Sequence, residues 1–295
     1  MSRLFVAILA ATAIAAGGSW SVSIAQTPKT PATDTLAKLK ATKTINVAVS
    51  ADSFPLSYIK DAKSDPVGYS IELCKRVIAH LARAADAGDL KTTWIAGTVA
   101  DRVSMVASGK ADIDCANTTA TLTRMKDVDF SSLVLLETGG LMVKDGGTIK
   151  QFSDLSGRSV GVIGGTTTET RLDGQMKQRL VNAKVVKVKD ATEALALLDK
   201  GSIDAFASDK VKLVGIALQT KEPKSWAILG EDLSLEPLAF ALPRGDSAFR
   251  LEVNRALTQI YQSGELETIF MNWLGSIGKF SGMIAAMYLL NSIPQ

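Results

Sequence analysis

Histidine is almost missing from this chain, with His80 alone among 295 residues, and cysteine is limited to Cys74 and Cys115. Acid–base chemistry that needs an imidazole therefore has a single candidate, which sits in a helical pattern and reads as structural. No cluster with metal-ligand spacing, no Ser/His/Asp set and no Cys/His pair is visible, so neither a metal nor another cofactor is expected. An excess of one charge is also lacking. Lys+Arg number 33 against Asp+Glu 30, mixed along the chain, whereas nucleic-acid binders gather basic residues on one face. Nucleic acid is thus not an expected partner. Long apolar runs are confined to the start of the chain. Residues 4–16 are almost uninterruptedly apolar, short of the roughly 20 residues that a membrane span needs. Arg3 precedes this run and Ser23-Ile24-Ala25 follows it, the pattern of a secretory signal cut after Ala25. No cysteine follows directly, so a lipid anchor is not expected.

What is present is a globular composition, 46% hydrophobic, and enough length for two ordinary domains. Residues 26–39 are a Pro/Thr/Lys-rich lead-in, running into a short helix by about residue 42. Beyond them, β-rich runs alternate with helical spacing: strands at 45–49, 92–95 and 111–115, helices at 69–87 and 101–108. The alternation restarts with strands at 159–163, 184–188 and 203–206 and helices from about 168 and at 191–200. Strands alternating with helices predict βαβ units on largely parallel sheets. Lys200-Gly201-Ser202-Ile203-Asp204 echoes Gly109-Lys110-Ala111-Asp112-Ile113, which suggests two lobes on one plan with a cleft between them. In such sheets ligands sit at the carboxyl ends of the strands. Residues 283–290 are too short to span a bilayer and predict a last helix packed on a lobe. In an exported protein Cys74 and Cys115 either pair or stay as two buried thiols.

Several ordered segments resemble the family 3 extracellular solute-binding proteins, and most closely their glutamate/aspartate-binding branch. They include Gly68-Tyr69-Ser70-Ile71-Glu72-Leu73-Cys74, Ser108-Gly109-Lys110, Asn117-Thr118-Thr119, Arg124, Val128-Asp129-Phe130-Ser131, Gly165-Thr166-Thr167 and Asp204-Ala205-Phe206-Ala207-Ser208-Asp209. The resemblance covers roughly residues 40–275. It implies an α/β fold of the type II periplasmic binding protein kind, each lobe a largely parallel sheet flanked by helices. Two crossing strands, near 137–139 and 236–238, would form the hinge. One lobe would take 40–138 plus 239–295 and the other 139–238. The implied role is the periplasmic, monomeric substrate-binding component of an ABC importer, which captures a free polar amino acid and hands it to a membrane permease. A sensory partner of a receptor and a cyclohexadienyl-dehydratase-like enzyme on the same fold are the alternatives.

An amino acid presents a carboxylate beside an ammonium, so its site needs a cation with N–H donors and an anion close by. Arg124 is the candidate for the carboxylate, because its planar fork matches two oxygens. It is expected at a helix start capped by Thr119 or Thr121. Thr166, in the turn Gly164-Gly165-Thr166-Thr167 before a helix, offers a second anion contact. Asp209 matches the aspartate that holds the ammonium, and Asn117 and Thr119 match polar contacts in the first lobe. Arg102 matches an arginine that neutralises the ligand side chain in acidic-amino-acid binders. Two other positions depart from those binders: Ser50 stands where they have arginine, and Ala191 where they have histidine. Loss of two cations weakens the case for a second ligand carboxylate, leaving glutamate/aspartate and glutamine/asparagine both open. Phe54 or Tyr58 would pack on the aliphatic part of the ligand or in the core.

Overall fold

The computed structural model describes residues 34–294; the predicted signal sequence and its cleavage site lie outside them. The first lobe opens with α1 (Thr35–Thr42), β1 (Thr44–Val49), the small hairpin β2 (Asp52–Ser53) and β3 (Ser57–Tyr58), and α2 (Tyr69–Ala84). It continues with β4 (Lys91–Ala96), α3 (Val99–Ala107) and β5 (Ile113–Asp114). A 17-residue strand, β6 (Val128–Lys144), then runs into the second lobe. That lobe holds β7 (Ser159–Ile163), α4 (Thr167–Gln178), β8 (Lys184–Val188), α5 (Ala191–Asp199), β9 (Ala205–Asp209), α6 (Lys210–Gln219) and β10 (Trp226–Ile228). The chain returns along β11 (Ser234–Pro243) and finishes on the first lobe with α7 (Ser247–Gln262), α8 (Glu265–Leu274) and α9 (Gly282–Asn291).

Among the described residues nine strands make one continuous sheet in the order β4–β1–β5–β11–β6–β9–β7–β8, with β10 also on β6. β1 lies parallel to β4 and β5, and β7 parallel to β8 and β9. The two parallel halves are joined by the antiparallel pair β6–β11, in which Glu137 stands opposite Glu236. β6 changes partner at Gly139, which pairs with Ser234 on one side and Asp209 on the other. Apolar side chains collect in separate cores at the two ends of this sheet. Tyr69, Leu73, Phe240 and Phe249 belong to one, whereas Phe152, Val160, Leu172, Phe206 and Leu213 lie in those of the other.

The repeated sequence segment is a repeated structure. α3 and α5 both stop at glycines in left-handed conformation, Gly109 (φ +74°) and Gly201 (φ +69°), where a Cβ would be strained. Each chain then turns into a strand through an aspartate that bonds back to the neighbouring strand. The Asp112 carboxylate accepts from Asn46 N–H at 2.9 Å, and that of Asp204 from Ser159 N–H at 2.8 Å.

Two elements differ from the sequence reading, and the last segment agrees with it. α1 is packed rather than loose: Asp34 caps it, Leu39 is buried, and Thr35 N–H donates to Asp246 at 2.9 Å. α2 stops at Ala84, three residues short of the expected end, and Asp86 is left-handed (φ 48°). The last segment does form a helix on the first lobe. There the hydroxyls of Tyr69 and Tyr288 both lie 2.9 Å from the carbonyl of Val134 on β6, and Asn291 accepts from Leu133 N–H at 3.0 Å. No helix among the described residues is long and apolar enough to cross a membrane.

Cys74 of α2 and Cys115, just after β5, form a disulfide with their Cα atoms 5.9 Å apart, and both are fully buried. The bridge fastens the loop after β5 to the helical layer beneath it. It closes a loop of 41 residues, which stabilises the folded state by about 2–4 kcal/mol through restriction of the unfolded chain. The double replacement Cys74→Ala/Cys115→Ala should lower unfolding stability by that amount in denaturant titrations. Reductant should act on the wild type in the same direction and leave the variant unchanged.

Candidate ligand-binding site

A cavity of about 420 Å³ opens between the lobes, and Ser50, Arg102, Asn117, Thr119, Arg124, Thr166 and Asp209 all line it. The fold explains the convergence: Ser50 follows β1, Asn117 and Thr119 follow β5, Thr166 follows β7, and Asp209 ends β9. These are the carboxyl ends of parallel strands, where backbone groups leave the ladder and side chains face the gap.

Arg102, on α3, is buried and bonded through each of its three nitrogens. Its Nε donates to Asp114 at 3.0 Å, one terminal nitrogen to Gly97 O at 2.9 Å, and the other to Thr118 Oγ1 at 3.1 Å. Asp114 also accepts from the Thr118 hydroxyl at 2.5 Å and from Ala116 N–H at 3.0 Å. This guanidinium therefore shapes the 114–118 loop that carries Asn117. Arg124 begins a single 3₁₀ turn (Arg124–Lys126) instead of the expected α-helix. Thr121 caps its N–H at 3.2 Å, and the guanidinium donates to Thr119 O at 2.8 Å. Burial and the nearby Arg102 charge lower its pKa from the ordinary value, the mark of a cation held in a dry place.

On the second lobe, Thr166 is the N-cap of α4, accepting from Glu169 N–H at 3.1 Å and donating to Ile163 O at 2.8 Å. Its hydroxyl is thus committed to the cap, and Gly165 N–H donates to Glu169 at 2.7 Å. The opening N–H groups of α4 have no partner within a helix and border the cavity through Thr166, Thr167 and Thr168. Asp209 starts α6 without capping it; its carboxylate instead accepts from Asn117 Nδ2 across the cleft at 3.1 Å. Burial, and then the neighbouring Glu236 carboxylate, push Asp209 up to about 6, although Lys212, Asn117 and Arg124 pull the other way. Asn117 Oδ1 is buried with no hydrogen-bond partner.

Phe54 and Tyr58 do not line this cavity. Their rings stack edge to face at 5.0 Å beside a neighbouring hollow. His80 pairs with Glu252 at 2.9 Å between α2 and α7, away from the cleft.

The family model for bacterial extracellular solute-binding proteins, family 3, matches residues 45–276. The chain belongs to that family. The L-glutamate/L-aspartate-binding protein of Pseudomonas aeruginosa is 32% identical over 82% of this chain and 80% of its own length. The glutamate/aspartate import solute-binding protein of Salmonella typhimurium is 30% identical over 81% and 79%. A solved ancestral arginine-binding protein bound to glutamine is 29% identical, with a TM-score of 0.70 over 79% of this chain and 98% of that one.

Four residues at this candidate site, Thr167, Glu236, Asp52 and Lys212, were given no individual role by the sequence reading. The Thr167 and Thr119 hydroxyls both donate to Glu236 Oε2, at 2.9 and 2.6 Å, so one hinge carboxylate ties the two lobes together. Asp52 and Lys212 form an ion pair across the cleft at 3.3 Å. Beforehand, Thr167 belonged to the expected anion-binding turn and Glu236 to the expected crossing segment, whereas Asp52 and Lys212 carried no signal.

A carboxyl group whose pKa rises from 3.8 to about 6 on folding costs stability as the pH climbs through that window, because the unfolded chain ionises first. Asp209→Asn should therefore melt at a higher temperature than wild type at pH 7, with the difference fading toward pH 4. A lower melting temperature at pH 7 would show that Asp209 is a structural anchor.

Proposed function

We propose that this protein captures a free polar amino acid, of the glutamate/aspartate or glutamine/asparagine kind, between its lobes in the periplasm and delivers it to the permease of an ABC importer. The observation that carries this reading is one cation and one anion left for a zwitterion. Among the described residues Arg124 is the one cavity-lining cation with no carboxylate within 4 Å, since Arg102, Lys189 and Lys212 are paired with Asp114, Asp190 and Asp52. Arg124, with the opening N–H groups of α4, suits the α-carboxylate. Asp209 and the unpartnered Asn117 Oδ1 suit the α-ammonium. Ligand contacts on both lobes would shift the molecule toward closure.

The names of the relatives support an amino acid as the ligand and support binding without turnover. The cavity carries no imidazole, since His80 lies elsewhere.

The test is a thermal-shift screen of the purified protein against the twenty amino acids, because a ligand that binds the folded state alone raises the melting temperature. One or a few polar amino acids should give a shift, and Arg124→Ala should abolish it while still unfolding cooperatively. Near-wild-type affinity in Arg124→Ala would remove this reading.

Binding should also weaken in acid. Asp209 titrates at about 6, and a bound ammonium favours its ionised form, so below that pH binding must expel a proton. Kd should rise by up to about tenfold per pH unit from pH 6 to 5 and stay flat from pH 7 to 8 in calorimetry.

A further inference from the structure

One wall of the cavity is built from charges that cancel inside the protein. Asp52, from the first lobe, and Lys212, on α6 of the second, both line it. Asp52 Oδ2 accepts from Lys212 Nζ at 3.3 Å and from Ala191 N–H, at the start of α5, at 3.1 Å. Its other oxygen accepts from the Ser50 hydroxyl at 2.9 Å. Lys212 also donates to Ser53 Oγ at 3.3 Å, and its side chain is only 5% exposed. Burial pushes Asp52 up, but the Lys212 charge and the donors from Ala191 and Ser50 outweigh it, so the carboxyl lies below its usual range. It is an anion at neutral pH.

This arrangement matters for the ligand side chain. With Arg124 and Asp209 assigned to the α-carboxylate and α-ammonium, any second charge on the ligand must find its own partner. Arg102 is held by Asp114, Gly97 and Thr118. Lys189 is 77% exposed and reaches only Asp190, at 3.9 Å. Lys212 already has Asp52. A second ligand carboxylate would therefore lose its water without gaining a buried free cation, with only the exposed Lys189 at the rim to offset it, and it would meet the Asp52 anion. A cationic side chain would meet Lys212. A carboxamide suits both, since its N–H can donate to Asp52 while its C=O accepts from Lys212.

We propose that Asp52 and Lys212 set the selectivity of this cavity for amino acids with uncharged polar side chains, and against those with a second carboxylate. This assignment rests on the amino-acid reading of the site and narrows it. The discrimination is of the repulsive kind: the wrong ligand is refused because the protein already carries its own anion at that wall.

The experiment is calorimetric titration of wild type, Asp52→Asn and Lys212→Gln with L-glutamine, L-glutamate, L-asparagine and L-aspartate. Wild type should bind one amide at least about tenfold more tightly than the matching acid. Asp52→Asn frees Lys212 and should shift that ratio toward the acid by about tenfold or more. Lys212→Gln leaves Asp52 uncompensated and should shift it further toward the amide. The pair also joins the lobes, so either change can weaken every ligand together, and the ratio isolates selectivity from closure. Equal weakening of acid and amide in Asp52→Asn would make the pair a closure contact and overturn the assignment. A wild-type preference for any charged side chain would overturn it too, with the binding function left standing. No binding of any amino acid by the wild type would overturn the functional reading itself.

Discussion

The pairing of β6 with β11 is the constraint on which the rest of the molecule depends. These strands are the covalent route between the lobes, and their antiparallel register sets Glu137 opposite Glu236 with Asp209 one strand away. Carboxylates in so small and dry a volume repel one another, which raises the pKa of Glu137 and Asp209. Glu137 accepts from Val211 N–H at 3.2 Å, but its second oxygen is buried without a partner. Burial, followed by the charge of Asp209, raises its pKa well above the usual carboxyl range. Glu137 is thereby biased toward its protonated form. Asp209 is left as the group poised to change its charge, and an arriving ammonium favours that change.

Much of this frame was legible in the sequence, and for identifiable reasons. Strand and helix periodicities are local, so the two βαβ series and their repeat could be read directly, and the repeat's aspartates proved to make the same backbone bond in both lobes. Site residues sit at strand ends, which the alternation marks, but Ser50, Asn117, Thr119, Thr166 and Asp209 were named through the family resemblance, and they line one cavity. The backbone around Arg124 was misjudged because a threonine cap opens a 3₁₀ turn and an α-helix alike. Phe54 and Tyr58 were assigned a choice of ligand or core, and periodicity has no means of showing that they pack on each other instead.

What stayed hidden was which charge pairs with which. Arg102 looks like a free cation until Asp114 and Thr118 are seen against it. Asp52 and Lys212 are separated by 160 residues, Thr119 and Glu236 by 117, and no local pattern connects them. Yet these pairings decide the electrostatic character of the site. Counted from the sequence, the site has Arg124 and Arg102 to offer an acidic ligand. Counted from the structure, it has Arg124.

The hydrogen-bonded and ionic links across the cleft run from Asn117 to Asp209, from Thr119 and Thr167 to Glu236, and from Asp52 to Lys212 and the start of α5, beside the apolar packing of Val211 on α6 against the first lobe's core. That chemistry suits a protein that must part its lobes as well as join them. Apolar burial contributes about 25 cal/mol per Å², so a large apolar seam would weld the lobes shut. Hydrogen bonds exchanged with water contribute only about 1 kcal/mol each net, and a few of them leave the two arrangements close in energy. The same links lose most when one partner alone is removed, because the other then stays buried and unsatisfied. On the proposed reading, a ligand that supplied a donor to the unpartnered Asn117 Oδ1 and a carboxylate to Arg124 would gain at groups the protein leaves without such partners. Closure and recognition would in this way be one event, governed by the same handful of buried polar atoms.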